Sequence, residues 1–199
     1  MTTPSYDQDS YQGRDDDVVL NSATFNGGGG LNTTWTQATD TNFRIRYLVQ
    51  ETAGGMGTNV LFDLWFTHTQ GAGVPEVMTA TSALQPAATS QYADGDTTTQ
   101  VLGGGTYVTG ESRAGVDDGV ITGNVDFAGS DEAEIEWTVT IDSTQVADGD
   151  TFTAVEVRNS GTRLGSRTNA VTITVSKPAA EITNRFFSTN QAVNRAATY

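Results

Sequence analysis

Apolar and polar side chains alternate along two segments of this chain. Successive side chains of a β-strand point to opposite faces, so such alternation predicts strands with one face in a core. In the first segment, one face carries Phe43, Ile45, Tyr47 and Val49, and the other carries Arg44, Arg46, Leu48 and Gln50. In the second, the buried face would carry Ile135, Trp137, Val139 and Ile141, and the solvent-facing side Glu134, Glu136, Thr138 and Thr140.

The composition favours strands joined by tight turns. Thr, which suits strands, occurs 33 times, and Gly, which suits turns, 22 times. Further strands are predicted at 18–25, 60–68, 76–80, 98–102, 119–127, 152–157 and 171–175, with 43–50 and 60–68 as an antiparallel pair. We therefore expect an all-β fold, a single antiparallel β-sandwich of about eight strands with Ig-like or jelly-roll connections.

Two terminal segments lack this alternation. Residues 1–17 and 178–199 are predicted to be extended arms around a sandwich domain at 18–177. Because Tyr, Phe and Arg are enriched at interface cores, these arms supply the candidate partner-binding residues. They are Tyr6, Tyr11 and Arg14 in the first arm and Arg185, Phe186, Phe187, Arg195 and Tyr199 in the second. The alternative is that Phe186 and Phe187 cover one end of the sandwich.

Charge and residue usage argue against several classes of function. The formal net charge is −14, the wrong sign for nonspecific attraction to nucleic acid or anionic lipid. No apolar run is long enough to cross a membrane, and the first residues do not resemble a secretory signal. The chain has no Cys and one His, His68, which excludes thiolate sites and sites with two imidazoles. We expect no nucleic-acid or membrane partner.

The candidate catalytic groups have structural alternatives that we favour. Asp63 and His68 are five residues apart on one predicted strand and would face opposite sides, which argues against a dyad. The carboxylates around Glu134 and Glu136 suit a solvated sheet edge better than a glycosidase pair. His68 is predicted to be a structural or a solvent-exposed residue, and the chain is predicted not to be an enzyme.

Two further patterns could bind ligands. The segments 94–96 and 148–150 both read Asp-Gly-Asp, which suits calcium or, more simply, a tight turn, so no cofactor is predicted. Trp65 is the one Trp expected on an exposed face, where it could stack on a sugar ring. Calcium binding and sugar binding remain alternatives at these positions.

Four segments carry a resemblance to known proteins. They are Phe43-Arg44-Ile45-Arg46-Tyr47-Leu48-Val49-Gln50-Glu51-Thr52, Phe62-Asp63-Leu64-Trp65-Phe66, Val146-Ala147-Asp148-Gly149-Asp150-Thr151 and Val155-Glu156-Val157-Arg158. With these segments the chain resembles a group of tailed-bacteriophage virion proteins. The likeness covers roughly residues 43–175 and implies a β-sandwich in a virion component of the head surface or a tail fibre. It implies a structural role and no particular chemistry.

These observations lead to one expected function and one alternative. The expected function is a capsid decoration or cement protein, assembled in the host cytoplasm and carried on the virion. Its partners would be the major capsid protein and copies of itself, bound through the terminal arms. The alternative is a tail-tip or tail-fibre module that binds a receptor, with a host surface glycan as partner and Trp65 in the site.

Overall fold

The computed structural model describes residues 2–26, 30–109, 114–115, 124–167, 169 and 171–179. These residues form fourteen β-strands, and no α-helix occurs among them. The described part of the chain accordingly holds no helix with the length and apolar character of a membrane span. The predicted all-β class is confirmed, and most strand pairs are antiparallel.

Six strands form sheet A, in which β3 and β11 occupy the centre. The strands are β1 (Tyr6–Asp15), β3 (Phe43–Glu51), β7 (Leu84–Pro86), β8 (Thr106–Tyr107), β9 (Ala114–Gly115) and β11 (Asp131–Ile141). Their order is β1-β3-β11-β7, and the short strands β8 and β9 pair in parallel with β11. The central register pairs Ile45 with Trp137.

Six other strands form sheet B. They are β2 (Trp35–Ala38), β5 (Phe62–His68), β6 (Pro75–Val77), β12 (Thr151–Asn159), β13 (Thr162–Arg163) and β14 (Val171–Ser176). The order is β2-β14-β12-β5-β6, and β13 pairs with the end of β12. A separate pair consists of β4 (Gly57–Val60) and β10 (Val125–Phe127).

The two large sheets contribute to one apolar core. The Tyr47 hydroxyl of sheet A donates a hydrogen bond to the Val155 carbonyl of sheet B at 3.2 Å. The Trp35 and Phe43 rings meet edge to face between the sheets, with centroids 6.1 Å apart. Trp137, which is fully buried, packs against Tyr47 in the same way. The alternating residues Phe43, Ile45, Tyr47 and Val49 therefore face this core, as predicted.

Several predicted strands are confirmed within a few residues, and others are wrong. Strands occur at β3, β5, β11, β12 and β14 as expected. Residues 18–25 instead form bends, turns and one isolated bridge, and 98–102 form no strand. The predicted pairing of 43–50 with 60–68 is also wrong, because β3 lies in sheet A and β5 in sheet B. The chain crosses from one sheet to the other between β3 and β5, and the turn residues between these strands do not reveal that crossover.

The predicted N-terminal arm is also incorrect over most of its length. Residues 6–15 form β1, which pairs with β3 along its whole length. Its polar residues misled the prediction because several of them, Gln8, Ser10 and Gln12, are buried inside the protein. The Gln8 amide, for example, accepts from the Val157 backbone N–H at 2.9 Å and donates to the Asn169 carbonyl at 3.1 Å.

Glu51, at the end of β3, connects three separate segments. Its carboxylate accepts hydrogen bonds from the backbone N–H groups of Ser5, Ala53, Gly54 and Ser130. Burial alone would raise the pKa of Glu51, but these backbone donors outweigh it and hold the pKa at about 2. The carboxylate therefore stays ionised and joins the start of β1 to the turn before β11.

The outward side of sheet B, here called the open face, is rich in Thr. Four Thr-x-Thr segments, at 34–36, 67–69, 151–153 and 172–174, lie on or beside four adjacent strands. The register places Thr174 beside both Thr36 and Thr151, and Thr153 beside Thr67. The residues between the Thr pairs are buried, namely Trp35, His68, Phe152 and Ile173. The outward side chains of the open face are Thr36, Asp63, Trp65, Thr67, Thr151, Thr153, Glu156, Arg158, Thr172 and Thr174.

Candidate functional site

The structure bears on only three of the eight predicted partner-binding residues. Arg185, Phe186, Phe187, Arg195 and Tyr199 lie outside the described residues. Tyr6, Tyr11 and Arg14 are described, and all three are buried in β1. Their predicted role in partner binding stays a prediction, and the structure places all three side chains in contacts within the fold.

Each of these three side chains has a partner inside the protein. Tyr6 packs on Phe127 with ring centroids 5.1 Å apart, and its hydroxyl lies against Gly57, where a Cβ would collide with it. Tyr11 belongs to the main apolar core, and burial raises the pKa of its hydroxyl. Arg14 donates to the Ala23 carbonyl at 2.7 Å and faces Glu136 at 3.3 Å. Their contacts are structural.

The outer side of sheet A carries a buried network of charges. Its members, here called the ionic cluster, are Arg14, Arg44, Arg46, Asp16, Glu134 and Glu136. Glu134 and Glu136 were predicted to face solvent, and both are fully buried. The prediction failed because loops far away in the sequence cover this face. Three guanidinium groups balance three carboxylates in charge, which offsets part of the cost of burying them.

Glu136 lies at the centre of the ionic cluster. It pairs with Arg46 and with Arg14, and its other oxygen lies 3.6 Å from Arg44. The same guanidinium groups hold the loop that follows β1. Arg44 donates to the Val18 carbonyl at 2.6 Å, and Arg46 donates to the Leu20 carbonyl at 3.2 Å. The cluster thus fastens a covering loop onto sheet A.

A second covering loop is fastened by neighbouring carboxylates of β11. Glu134 accepts the backbone N–H groups of Val101, Leu102 and Gly103. Glu132 accepts the N–H of Gly105 at 2.8 Å, and a Cβ at Gly105 would lie 2.5 Å from the Glu132 carboxylate. Gly103 and Gly105 therefore allow the loop to approach Glu132 closely, because a Cβ at either position would collide with its carboxylate. The segment that was predicted to be a strand at 98–102 is held as a loop for the same reason.

His68 has a structural partner, in line with the first of its two predicted alternatives. Its Nε2 lies 2.9 Å from Asp150 Oδ2, and its ring packs on Phe152. The Ala147 backbone N–H also donates to Asp150, and this hydrogen bond, assisted by His68, lowers the pKa of the carboxyl. Asp63, on the other face of β5, accepts the Gly161 N–H instead. The pair connects β5 to the turn before β12.

The two Asp-Gly-Asp segments are tight turns. Asp96 accepts the Ala93 N–H, and Asp148 accepts the Lys177 N–H. Gly149 adopts a positive φ of 82°, which glycine tolerates without strain. Within the described residues, no group of three or more His, Asp or Glu side chains is placed to hold a metal ion.

The open face carries a second set of arginines. Glu156, whose side chain is 1% exposed, accepts hydrogen bonds from Arg158, Arg163 and Arg167. The Arg158 guanidinium lies 4.0 Å from the centre of the Trp65 ring. Arg158 thus covers one face of the Trp65 ring. Burial, followed by repulsion from Arg163, lowers the pKa of Arg158.

A cleft of about 580 Å³ adjoins these arginines. Arg163 belongs to both features, because it lines the cleft and also donates through Nε to Glu156 at 3.1 Å. The other walls come from the segment before β1, from β4 and from the β12–β13 turn. Polar groups of the lining are Ser5, Thr58, Asn59, Asn159 and Thr162, and apolar groups are Tyr6, Met56, Val60 and Leu164.

No protein-family model, curated protein or solved structure matches this chain.

Sequence reasoning missed both groups of arginines for different reasons. Arg44 and Arg46 alternate with apolar residues, which ordinarily predicts a wet face. Arg158, Arg163 and Arg167 fall within ten residues of one another in a chain with 10 Lys and Arg against 24 Asp and Glu. That local concentration of positive charge is the signal that could have identified the cluster around Glu156.

Proposed function

We propose that this chain is a bacteriophage structural protein, a decoration protein that binds the outer capsid surface and stabilises the head. The observation that supports this proposal is the structural role of residues in the segments that resemble phage virion proteins. Arg46 pairs with Glu134 and Glu136 inside the fold, and Asp150 binds His68. Residues that serve the fold are what a virion building block would share with its relatives.

We infer that the two six-stranded sheets are the layers of a single sandwich. The hydrogen bond from Tyr47 to Val155 and the contact of Trp35 with Phe43 both cross between the sheets. The ionic cluster and its loops cover the outer side of sheet A. Sheet B would then present the open face to the surroundings, and contact surfaces for neighbouring subunits belong on this side and on the terminal segments.

The partners in this proposal are the major capsid protein and other copies of the chain. Acidic residues dominate the middle of the sequence, where residues 64–157 hold 15 carboxylates and one base, Arg113. A strongly acidic body favours solubility and an outward orientation. The capsid contacts are assigned to the segment 178–199, through Arg185, Phe186, Phe187, Arg195 and Tyr199. Binding energy alone, repeated over many copies, would oppose the pressure of packaged DNA.

A tail-tip or tail-fibre module that binds a host glycan is the second candidate. The observation that favours it is the cleft lined by Arg163, because several polar side chains line it and Arg163 joins it to the arginines around Glu156. The two candidates differ in the position of the chain on the particle.

Sedimentation with phage heads tests the decoration proposal. The full chain is expected to pellet with purified heads that lack it, at a fixed ratio to the major capsid protein. A chain that ends at Lys177 is expected to fold, because β14 ends at Ser176, and to remain in the supernatant. Circular dichroism of both chains provides the control. Stoichiometric pelleting of the shortened chain would contradict the role assigned to 178–199.

A further inference from the structure

The side chain of Arg163 has hydrogen-bonding capacity that the described residues do not use. Its Nε donates to Glu156, whereas its two terminal nitrogens have no acceptor in the described part of the chain. The Arg163 side chain is 48% exposed and lines the cleft. The terminal nitrogens of a guanidinium form a planar fork that matches a carboxylate in a bidentate arrangement. Glu156 fixes this fork by holding the Nε edge.

The rest of the cleft offers groups that suit sugar hydroxyls. Asn59, Asn159 and Thr162 provide amides and a hydroxyl around Arg163, while Met56 and Tyr6 provide apolar surface. Its volume of about 580 Å³ lies within the usual range of small-ligand sites. A mixture of hydroxyl-binding groups, limited apolar surface and one cationic fork matches a sugar ring that carries one carboxylate.

The surrounding charges limit how acidic the ligand can be. Asp7, Asp63 and Asp126 lie near the cleft, where they accept the backbone N–H groups of Ser166, Gly161 and Asn59. The chain as a whole carries −14. These charges repel a polyanion at long range, whereas one carboxylate directly on the Arg163 fork gains a short charge-assisted contact.

We propose that the cleft between β4 and the β12–β13 turn binds a saccharide bearing a single carboxylate, a uronic acid residue, with Arg163 as the carboxylate clamp. The inference is separate from the decoration proposal, because it concerns the isolated chain. If the chain does not pellet with heads, the proposal of a uronide site is unaffected. If the chain does not bind uronides, the decoration proposal is unaffected.

The test is an NMR titration of the full chain with matched sugars. The methyl uronides of glucose, galactose and mannose are compared with the corresponding neutral methyl hexosides and with sodium acetate. At least one uronide is expected to bind at least about tenfold more tightly than both its neutral hexoside and acetate. Binding is expected to shift the Arg163 Nε signal and the Asn159 amide signal. Equal affinity for a uronide and acetate would show a bare anion site and would overturn the proposal.

Two variants and a control make the test specific. R163Q is expected to weaken uronide binding about tenfold or more, and T162V to weaken it less while leaving acetate unchanged. K177Q removes the same charge at the opposite end of sheet B and is expected to bind like the unmodified chain. Amide spectra establish that each variant is folded. Unchanged affinity in folded R163Q, no uronide binding at all, or tighter binding of a triglutamate peptide would each overturn the proposal.

Discussion

Deletion of residues 2–15 is expected to leave a chain that does not fold. The deletion removes β1, which pairs with β3 over its whole length, and takes Tyr6 and Tyr11 out of the core. It also removes Arg14 from the ionic cluster and so exposes Glu136. Loss of even one large buried aromatic side chain costs about 3–5 kcal/mol, and the free energy of unfolding of a whole domain is only about 5–15 kcal/mol. Circular dichroism and the dispersion of the amide spectrum measure the outcome.

A shorter deletion controls for the loss of the chain end itself. Removing only Thr2 and Thr3, which are exposed and precede β1, is expected to change the free energy of unfolding by less than about 1 kcal/mol. If residues 2–15 were instead an arm outside the core, their deletion would leave a cooperatively folded domain. Retention of a dispersed spectrum in the 2–15 deletion would contradict the assignment of β1 to the core.

Glu136→Gln is expected to destabilise the fold by about 3–5 kcal/mol. The substitution keeps the shape of the side chain but leaves the three guanidinium groups of the ionic cluster with two carboxylates. All of these groups are buried, so water cannot solvate the unbalanced charge. Urea denaturation at pH 7 measures the free energy of unfolding, and the covering loop at 18–22 is expected to lose protection from amide exchange.

Glu76→Gln is the matched control for this substitution. Glu76 lies on the short edge strand β6 and is only partly buried, so its change is expected to be within about 0.5 kcal/mol. A cost of less than about 1 kcal/mol for Glu136→Gln would mean that the cluster is solvated. The loops at 18–26 and 97–105 would then not be fastened through these charges.

The alternation of apolar and polar residues predicted the strands whose inward faces are apolar. It did not predict contacts between segments that are distant in the sequence. The alternation from Phe43 to Val49 predicts a strand whichever sheet it joins, because one face meets the core. The outer face of the same strand is covered by loops that return from about residues 20 and 100. Nothing in the sequence around Arg46 distinguishes a guanidinium that faces water from one that faces Glu136.

The polar character of β1 produced the largest error in the prediction. Gln8, Ser10 and Gln12 are buried although their side chains are polar. The amide of Gln8 bonds to backbone groups of β12 and of residue 169, which lie about 150 residues away in the sequence. A pattern of apolar residues cannot report such contacts. The repeated Thr-x-Thr segments could not have grouped the strands of sheet B either, because the same pattern occurs at 138–140 on β11 of sheet A.

The candidate site was predicted only in part. Trp65 was correctly expected on the outward side of β5, but Arg158 covers one face of its ring. Arg163 and the cleft were not predicted, because β4 and the β12–β13 turn are about 100 residues apart in the sequence. Their approach depends on the pairing of β5 with β12, which the sequence did not indicate.

Cryo-electron microscopy of the phage particle that contains this chain is the most direct test of its proposed function. We expect density for the domain on the outer capsid lattice, repeated at symmetric positions, with residues 178–199 in contact with the major capsid protein. Density for the domain at the tail tip or in a tail fibre, with none on the head, would contradict the decoration proposal.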